Sequence, residues 1–197
     1  HRQGLRTTAT IMFGHVDRPV HWARHLIHIR ELQKLTGGFT EFVPLPFVHM
    51  EAPLALRGRT RRGPTLREVR LMHAIARLAL HPHITSIQTS WVKLGPAGAR
   101  LCLEGGANDL GGSLMNESIS RAAGTQHGQE MPPEAMEELI RSLGRVPHQR
   151  TTNYETVSDE NHVRGLNAAP LAPLVLTAPR RRKPDILQEN KHHEWAG

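Results

Sequence analysis

The chain has 197 residues, with 25 lysines and arginines against 18 aspartates and glutamates, so that its formal net charge at pH 7 is +7. This length suffices for one domain with a sizeable core, and no apolar run approaches the roughly 20 residues that cross a membrane. The single cysteine, Cys102, excludes a disulfide framework and favours a reducing compartment, so we expect a cytoplasmic protein.

The densest positive charge lies in the run Arg57-Gly-Arg-Thr-Arg-Arg62, which Arg67 and Arg70 follow. Such a run can contact phosphates, and a basic nucleic-acid-binding module is one hypothesis for the chain. Aromatic residues make up only 4% of the chain and none lies between these arginines, so stacking on bases is unsupported. We favour a solvated arginine-rich loop and expect no specific nucleic-acid partner.

The N-terminal part of the chain alternates strand, helix and strand. Residues Thr7–Phe13 are β-branched and apolar, as in a buried strand. A helix is predicted over about residues 19–35, where apolar side chains recur at helical spacing. A second strand is predicted at Phe39–Phe47. Pro44 and Pro46 should keep it short, because proline cannot donate a hydrogen bond in a central ladder.

The middle of the chain begins with a long loop, residues 49–64, which carries the arginines. Thr65 is a good N-cap for the next helix, and Glu68 stands at the offset that completes a capping box. The helix should run to about Leu80. Three of its apolar side chains share one face: Leu71, Ile75 and Leu78.

Two further strand–helix pairs follow in the sequence. The strands are predicted at Ile84–Val92 and, very short, at Ala107–Leu110. Short helices are predicted at Pro96–Leu103 and Ser118–Ala123. A last helix, Glu134–Leu143, follows two prolines and should end at a glycine.

Four strand–helix units in order predict an α/β fold with a parallel sheet and right-handed crossovers. Four units are half of a (β/α)8 barrel, which typically needs about 250 residues. After Tyr154 the periodicity fades, so we expect residues 1–154 to form the half-barrel and residues 155–197 to be disordered or foreign to it. Because the first residue is His1 rather than methionine, we expect a piece of a longer protein.

The glycine-rich run Gly105-Gly-Ala-Asn-Asp-Leu-Gly-Gly112 predicts a ligand site at the end of the fourth strand. Asn108 and Asp109 are the strongest candidates, because their side chains can hydrogen-bond polar groups of a ligand. The alternative is a tight turn that uses the same residue types.

Five other residues are candidates for substrate binding. His15 follows the first strand, and Glu41 lies inside the second, where a buried carboxylate needs a partner. Trp91 and Lys93 should share one face of the third strand, offering an indole for stacking and an ammonium for an anion. Glu117 opens the next helix. The alternatives are a loop histidine, a packed tryptophan with a snorkelling lysine, and a glutamate that stabilises the helix dipole. No metal ligands are predicted in this chain.

Several ordered motifs carry a family resemblance over about residues 7–154. They are Thr-Ala-Thr-Ile-Met-Phe-Gly-His15, Gly-Gly-Phe-Thr-Glu-Phe-Val-Pro-Leu-Pro-Phe47, Ser-Trp-Val-Lys-Leu-Gly95, Gly-Ala-Asn-Asp-Leu-Gly-Gly112 and Gln-Arg-Thr-Thr-Asn-Tyr154. They resemble the C-terminal half of the radical S-adenosylmethionine FO synthases, in the part that is the 5-amino-6-(D-ribitylamino)uracil–L-tyrosine 4-hydroxyphenyl transferase of coenzyme F420 biosynthesis. The futalosine-pathway enzymes of menaquinone biosynthesis are similar but more distant.

The resemblance implies a radical transferase with a (β/α)8 barrel, S-adenosylmethionine and a 4Fe–4S cluster. It implies that the 4-hydroxybenzyl group of tyrosine is joined to 5-amino-6-ribitylaminouracil. In that family a Cys-x3-Cys-x2-Cys loop near the start of the barrel holds the cluster, and this chain has no such loop. The missing N-terminal half-barrel is therefore an expected partner, and the chain alone is not expected to be active. A non-catalytic remnant remains an alternative.

Overall fold

A computed structural model of the chain describes residues 1–114, 117–128 and 130–169. Its helices and strands alternate along the N-terminal half, and helices alone follow. In chain order they are β1 Thr7–Phe13, α1 Pro19–Thr36, β2 Phe39–Pro46, α2 Pro53–Leu56, α3 Leu66–Leu80, α4 Trp91–Glu104, α5 Ile119–Ala122, α6 Pro133–Arg141 and α7 Asp159–Leu166. None of the helices in these residues is long and apolar enough to cross a membrane.

The sheet is parallel and its segments follow one another in sequence order. β1 pairs with β2 along its whole length. On the edge of β2 away from β1, Phe42 forms a parallel bridge with Ile87 of a third segment. Gln88 of that segment forms another parallel bridge with Asp109 of a fourth. The parallel pairing agrees with the predicted parallel sheet, whereas among the described residues only the first two segments are long enough to be strands. The structure thus shows a mixed α/β arrangement with few strands.

The prediction of a third strand at Ile84–Val92 is wrong in its second half, because α4 begins at Trp91. The apolar side chains around Trp91 fit the spacing of a strand as well as that of a helix. In the structure Trp91 and Val92 are buried as part of helix α4. The fourth strand, predicted at Ala107–Leu110, is reduced to the single bridge at Asp109. α4 also starts earlier than the predicted Pro96–Leu103 helix, with a break at Gly95.

The second strand is longer than its prolines suggested, and it includes both of them. The Phe42 N–H donates to Ser86 O on the third segment, at 2.9 Å. Backbone N–H groups along a parallel strand point alternately to its two neighbours, so the nitrogens of Pro44 and Pro46 point, like the Phe42 N–H, away from β1. The bridge to the third segment ends at Phe42, so neither proline removes a ladder hydrogen bond.

Helices α1 and α3 cover one face of the sheet, and both confirm their predicted bounds to within a residue or two. The Thr65–Glu68 capping box is present, with Glu68 N–H donating to Thr65 Oγ1 at 3.2 Å. The face of α3 that packs against the core is not the face with the large apolar side chains that the sequence singled out. It is formed by Val69, Met72, His73, Ala76 and Leu80. The side chains that point outward are Leu71, Ile75 and Leu78.

The opposite face of the sheet is open. On β1, Ala9 and Phe13 are buried among the helices, whereas Thr8 and Thr10 are exposed and Met12 is 53% exposed. Side chains of a strand alternate between its faces, so this open face carries the intervening residues. Polar groups of β2 and of the later segments therefore meet on a surface that the helices do not cover.

The C-terminal part folds further than the sequence predicted. α6 confirms the helix expected over 134–143. α7, Asp159–Leu166, lies in the segment expected to be disordered or foreign to the half-barrel, and these residues are helical. Ser158 caps α7 by accepting a hydrogen bond from Asn161 N–H, and two acidic residues stabilise its first turn. The remainder of the predicted tail, residues 170–197, lies outside the described residues.

Candidate functional site

On the open face of the sheet, Glu41 of β2 and Asp109 meet the segment 150–154. The Tyr154 hydroxyl lies 2.5 Å from Glu41 Oε2 and 2.8 Å from Asp109 Oδ2. Arg150 Nε donates to Asp109 Oδ2 at 2.6 Å, and its guanidinium carbon lies 3.9 Å from the centre of the Tyr154 ring. We call these four residues the carboxylate cluster. It joins two segments of the sheet to the C-terminal part of the chain.

The carboxylate cluster places two acidic side chains against one guanidinium. The side chains of Glu41 and Asp109 are only 13% and 8% exposed. Burial, followed by the hydrogen bond to Glu41 and the charge of Asp109, raises the pKa of Tyr154, so the phenol remains protonated. Burial alone would lower the pKa of Arg150, but the hydrogen bond and charge of Asp109 raise it. The guanidinium thus stays charged beside a neutral phenol.

Sequence reasoning identified Glu41 and Asp109 but missed Arg150 and Tyr154. The expected partner of the Glu41 carboxylate is present, and Thr8 Oγ1 also donates to it at 2.9 Å. Arg150 and Tyr154 belong to the motif that ends at Tyr154. Nothing in that motif indicates which strand its side chains contact. A contact between residues so far apart in sequence depends on the fold.

Asn108 lies beside Asp109 but is engaged differently. Its Oδ1 accepts from Ile87 N–H at 2.9 Å and from Arg77 Nη2 at 2.6 Å. Its Nδ2 donates to Thr85 O at 3.1 Å. Both lone pairs of the amide oxygen are therefore occupied within the protein. This geometry favours a structural role for Asn108, in which it ties the glycine-rich run to the neighbouring segment and to α3.

The glycine-rich run also contains a turn held by Asp109. Asp109 Oδ1 accepts from Gly111 N–H at 2.6 Å. Gly111 has a φ of +77°, which favours glycine. A side chain at this position would collide with the amide of Gln88. Asp109 therefore shapes the turn with one oxygen and contacts the carboxylate cluster with the other.

Trp91 and Lys93 do not share a strand face, because both lie in the first turn of α4. Trp91 is buried, and its Nε1 donates to Gly112 O at 3.1 Å. Its indole thus packs in the core and holds the glycine-rich run. The prediction that one strand face presents both residues is wrong, since the chain turns into the helix after Ser90.

Lys93 and Glu117 are brought together by Ser120 of α5. Lys93 Nζ donates to Ser120 Oγ at 3.2 Å, and Ser120 N–H donates to Glu117 Oε1 at 2.9 Å. Burial lowers the pKa of Lys93, although the charge of Glu117 acts in the opposite direction. Glu117 was expected in the first turn of this helix, and it lies just before the N-cap Ser118 of α5.

His15 lies at the exit of β1, as predicted, and contacts Asp17. His15 Nδ1 is 2.6 Å from Asp17 Oδ1. Burial would raise the pKa of Asp17, but hydrogen bonds from Gly14 N–H, the Trp22 indole and His15 N–H lower it to about 2. Asp17 is thus a fixed carboxylate that holds this turn.

A cavity of about 610 Å³ adjoins the carboxylate cluster. One wall is formed by Asp109, Arg150 and Tyr154, and the other by α6 and α7. His162 of α7 contacts Gln149 Oε1 at 2.7 Å and lies 3.5 Å from Glu137 of α6. This volume is of the size that holds small ligands in proteins.

The residues present do not fit an iron–sulfur cluster. Cys102 is fully buried in the core, and burial raises the pKa of its thiol to about 11, although a hydrogen bond with Thr89 opposes this. A cluster needs several thiolates. In the part of the chain that the structure describes, no three histidine, cysteine or acidic side chains are grouped as metal ligands.

The arginine-rich segment extends along the loop that contains α2. Arg57, Arg59 and Arg62 are exposed, whereas Arg61 forms an ion pair with Glu68 at 2.7 Å. An exposed ion pair of this kind contributes little to stability. The segment has the character of the solvated loop expected from its sequence.

Comparison with known proteins gives strong matches. The model of the CofH/MqnC C-terminal region matches residues 36–163. An FO synthase of Nocardia farcinica is 57% identical over 157 residues, which are 80% of this chain and 18% of that protein. An FO synthase of Mycobacterium tuberculosis is 54% identical over 154 residues, with 78% of this chain and 18% of that protein covered.

A shorter relative covers the same region. The 5-amino-6-(D-ribitylamino)uracil–L-tyrosine 4-hydroxyphenyl transferase of Methanopyrus kandleri is 52% identical over 157 residues, which are 80% of this chain and 42% of that protein. The chain thus spans less than half the length of these relatives. The resemblance read from the motifs is confirmed: the chain belongs to the family of the CofH/MqnC C-terminal region.

Proposed function

We propose that this chain is the substrate-side part of a radical S-adenosylmethionine transferase of the FO synthase type. In this proposal the whole protein transfers the 4-hydroxybenzyl group of tyrosine to 5-amino-6-ribitylaminouracil. The observation that carries it is the identity of 52–57% to FO synthases and to the tyrosine 4-hydroxyphenyl transferase over about four-fifths of the chain. At this identity the open face and its carboxylate cluster are expected to serve the same chemistry.

The fold supports a role in a barrel that this chain does not complete. Four parallel segments stand in order, with helices on one face and an open polar face on the other. In a closed (β/α)8 barrel that open face would line the interior. We propose that an N-terminal half-barrel covers it and excludes water from the reacting groups.

In this proposal the part of the protein that precedes the chain would hold the 4Fe–4S cluster, and S-adenosylmethionine would bind between that part and this chain. The buried thiol of Cys102 offers no ligand for a cluster. When bound there, the two would supply the radical chemistry. The residues of this chain would bind and orient tyrosine and the aminouracil. The named candidates are His15, Glu41, Lys93, Asp109 and Glu117, with Trp91 and Asn108 holding the glycine-rich run in place.

The test uses the full-length protein, purified and reconstituted without oxygen. It is given S-adenosylmethionine, a reductant, tyrosine and 5-amino-6-ribitylaminouracil, and the joined product is measured by mass spectrometry. Product formation that depends on both substrates supports the proposal. Cleavage of S-adenosylmethionine with no joined product under any condition would contradict it and would favour the futalosine-pathway alternative or a non-catalytic remnant.

The contribution of this chain is tested with Asp109→Asn in the same assay. We expect product formation to fall about 10-fold or more, because the variant removes the charge that pairs with Arg150, while its remaining oxygen can still accept from Gly111 N–H in the turn. Glu138→Gln, on the exposed side of α6, is the matched control and should keep the wild-type rate.

A further inference from the structure

We propose that Lys93, Ser120 and Glu117 form a clamp for the α-amino-acid end of a ligand, with Lys93 binding the carboxylate and Glu117 the ammonium. We call these three residues the amino-acid clamp. The inference rests on the proposed function only for the identity of the ligand, which would be tyrosine or the methionyl end of S-adenosylmethionine. The clamp itself is argued from the contacts of its three side chains.

The Lys93 ammonium has fewer hydrogen bonds and ion-pair partners than a buried charge requires. It is more than half buried in the first turn of α4, and its one hydrogen bond among the described residues runs to a neutral hydroxyl, Ser120 Oγ, at 3.2 Å. An ammonium has three donors, and burying a charge is costly unless it is paired. An anionic ligand would supply acceptors for the remaining donors.

The Glu117 carboxylate is likewise only half engaged. Oε1 accepts from Ser120 N–H at 2.9 Å. Oε2 is buried and has no hydrogen-bond partner in the described part of the chain. A buried acceptor without a donor carries its full desolvation penalty. The ammonium of an amino acid would offer this oxygen the missing donor.

The two charges are held near each other without neutralising each other. Glu117 is close enough to influence the charge of Lys93, yet the two form no direct hydrogen bond within residues 1–114 and 117–128. Ser120 contacts both, through its hydroxyl and its backbone N–H, and is itself only 2% exposed. The side chains therefore stand apart with opposite charges, which complements the zwitterionic end of an amino acid.

The position of the clamp agrees with a ligand site. Lys93 follows the third parallel segment, which ends before Ser90, and Glu117 follows the fourth, which bridges at Asp109. In parallel α/β folds, ligands bind at the carboxyl ends of the strands. The carboxylate cluster, by contrast, includes Glu41 near the start of β2. The clamp and the cluster are thus two separate polar groups.

The test measures binding by calorimetry to the full-length, reconstituted protein, so that it does not depend on turnover. The ligands are tyrosine, tyramine, which lacks the carboxylate, 3-(4-hydroxyphenyl)propionate, which lacks the ammonium, and S-adenosylmethionine. The variants are Lys93→Met and Glu117→Gln. Lys34→Met, which removes an exposed ammonium of α1, is the control. Thermal unfolding and cluster content show that each variant is intact.

If tyrosine is the ligand, Lys93→Met weakens its binding by about tenfold or more and leaves tyramine binding unchanged. Glu117→Gln then weakens tyrosine but leaves the propionate unchanged. If the methionyl end is the ligand, both variants weaken S-adenosylmethionine instead and spare tyrosine. Intact variants that bind tyrosine and S-adenosylmethionine as the wild type does would overturn the clamp.

The outcomes also separate this inference from the proposed function. A wild-type protein that forms the joined product while both variants bind normally would refute the clamp alone. A wild-type protein that forms no joined product, but whose amino-acid binding is weakened by Lys93→Met, would refute the proposed transfer and keep the clamp.

Discussion

Tyr154 donates its hydroxyl toward Glu41 across a sequence separation of 113 residues, at 2.5 Å. The contact fastens the segment after α6 to the open face of β2. Asp109 lies 2.8 Å from the same hydroxyl, so one phenol stands between two acidic side chains. Removing that hydroxyl would take one donor from each of two partly buried carboxylates and leave Arg150 as the charge that both share, which gives the first prediction.

We expect Tyr154→Phe to destabilise the protein by about 1–3 kcal/mol, because buried acceptors lose their donor. The change keeps the ring that lies under Arg150, so the loss reports on the hydroxyl. Urea unfolding of the full-length protein measures the effect. Thr152→Val, at an exposed position of the same segment, is the control. Equal stability of Tyr154→Phe and the wild type would show that the hydroxyl contributes nothing.

Asn108→Ala should act on stability before it acts on ligand binding. The substitution removes the acceptor of Arg77 Nη2 and Ile87 N–H and the donor to Thr85 O. We expect a loss of about 1–3 kcal/mol in the free energy of unfolding. Ligand affinity, measured at a temperature where the variant is folded, should stay near that of the wild type. Lost affinity with unchanged stability would instead make Asn108 a ligand contact.

His73 should make the protein sensitive to mild acid. Burial lowers the pKa of its imidazole from 6.5, although hydrogen bonds to backbone groups of Val69 and Gln88 oppose the shift. The unfolded state therefore binds a proton that the folded state refuses, so stability falls as the pH drops below about 6.5. Its Nδ1 lies 2.8 Å from Val69 O.

The measurement is the free energy of unfolding as a function of pH for the wild type and for His73→Gln. The variant should show a shallower loss through this window. His83→Gln, at an exposed position, should keep the wild-type slope. The same slope in all three proteins would mean that His73 charges equally in the folded and unfolded states.

Residues 1–169 produced alone should self-associate. The face with Thr8, Thr10 and Met12 is open, and within the described residues β1 pairs on one edge only. Open strand edges and uncovered apolar surface promote association. Size-exclusion chromatography with light scattering tests this. A stable monomer that unfolds cooperatively would contradict the half-barrel proposal.

Local sequence signals predicted much of the fold. β1 follows from its β-branched run, and α1 from helical spacing that ends at Gly37, where φ is +60°. The capping box of α3 was likewise visible in the sequence. These features depend on neighbours along the chain, which a sequence displays directly.

Features that depend on tertiary packing were harder to predict from the sequence. Trp91 and Lys93 fit a strand by alternation, yet burial of the indole draws them into α4. The core face of α3 contains His73 and Ala76, which hydrophobicity alone does not single out. Arg150 and Tyr154 became functional candidates only when the fold placed them against Glu41 and Asp109. α7 was missed because it is short and largely polar, and none of its residues is buried.

The proposed transfer is tested most directly by following the ring of tyrosine through the reaction of the full-length protein. Tyrosine with a ¹³C-labelled ring is supplied with S-adenosylmethionine and 5-amino-6-ribitylaminouracil, and the products are analysed by mass spectrometry. We expect the labelled ring to appear attached to the aminouracil in the wild type and to be much reduced in this product for Asp109→Asn. Label that stays in tyrosine, while S-adenosylmethionine is still cleaved, would contradict it.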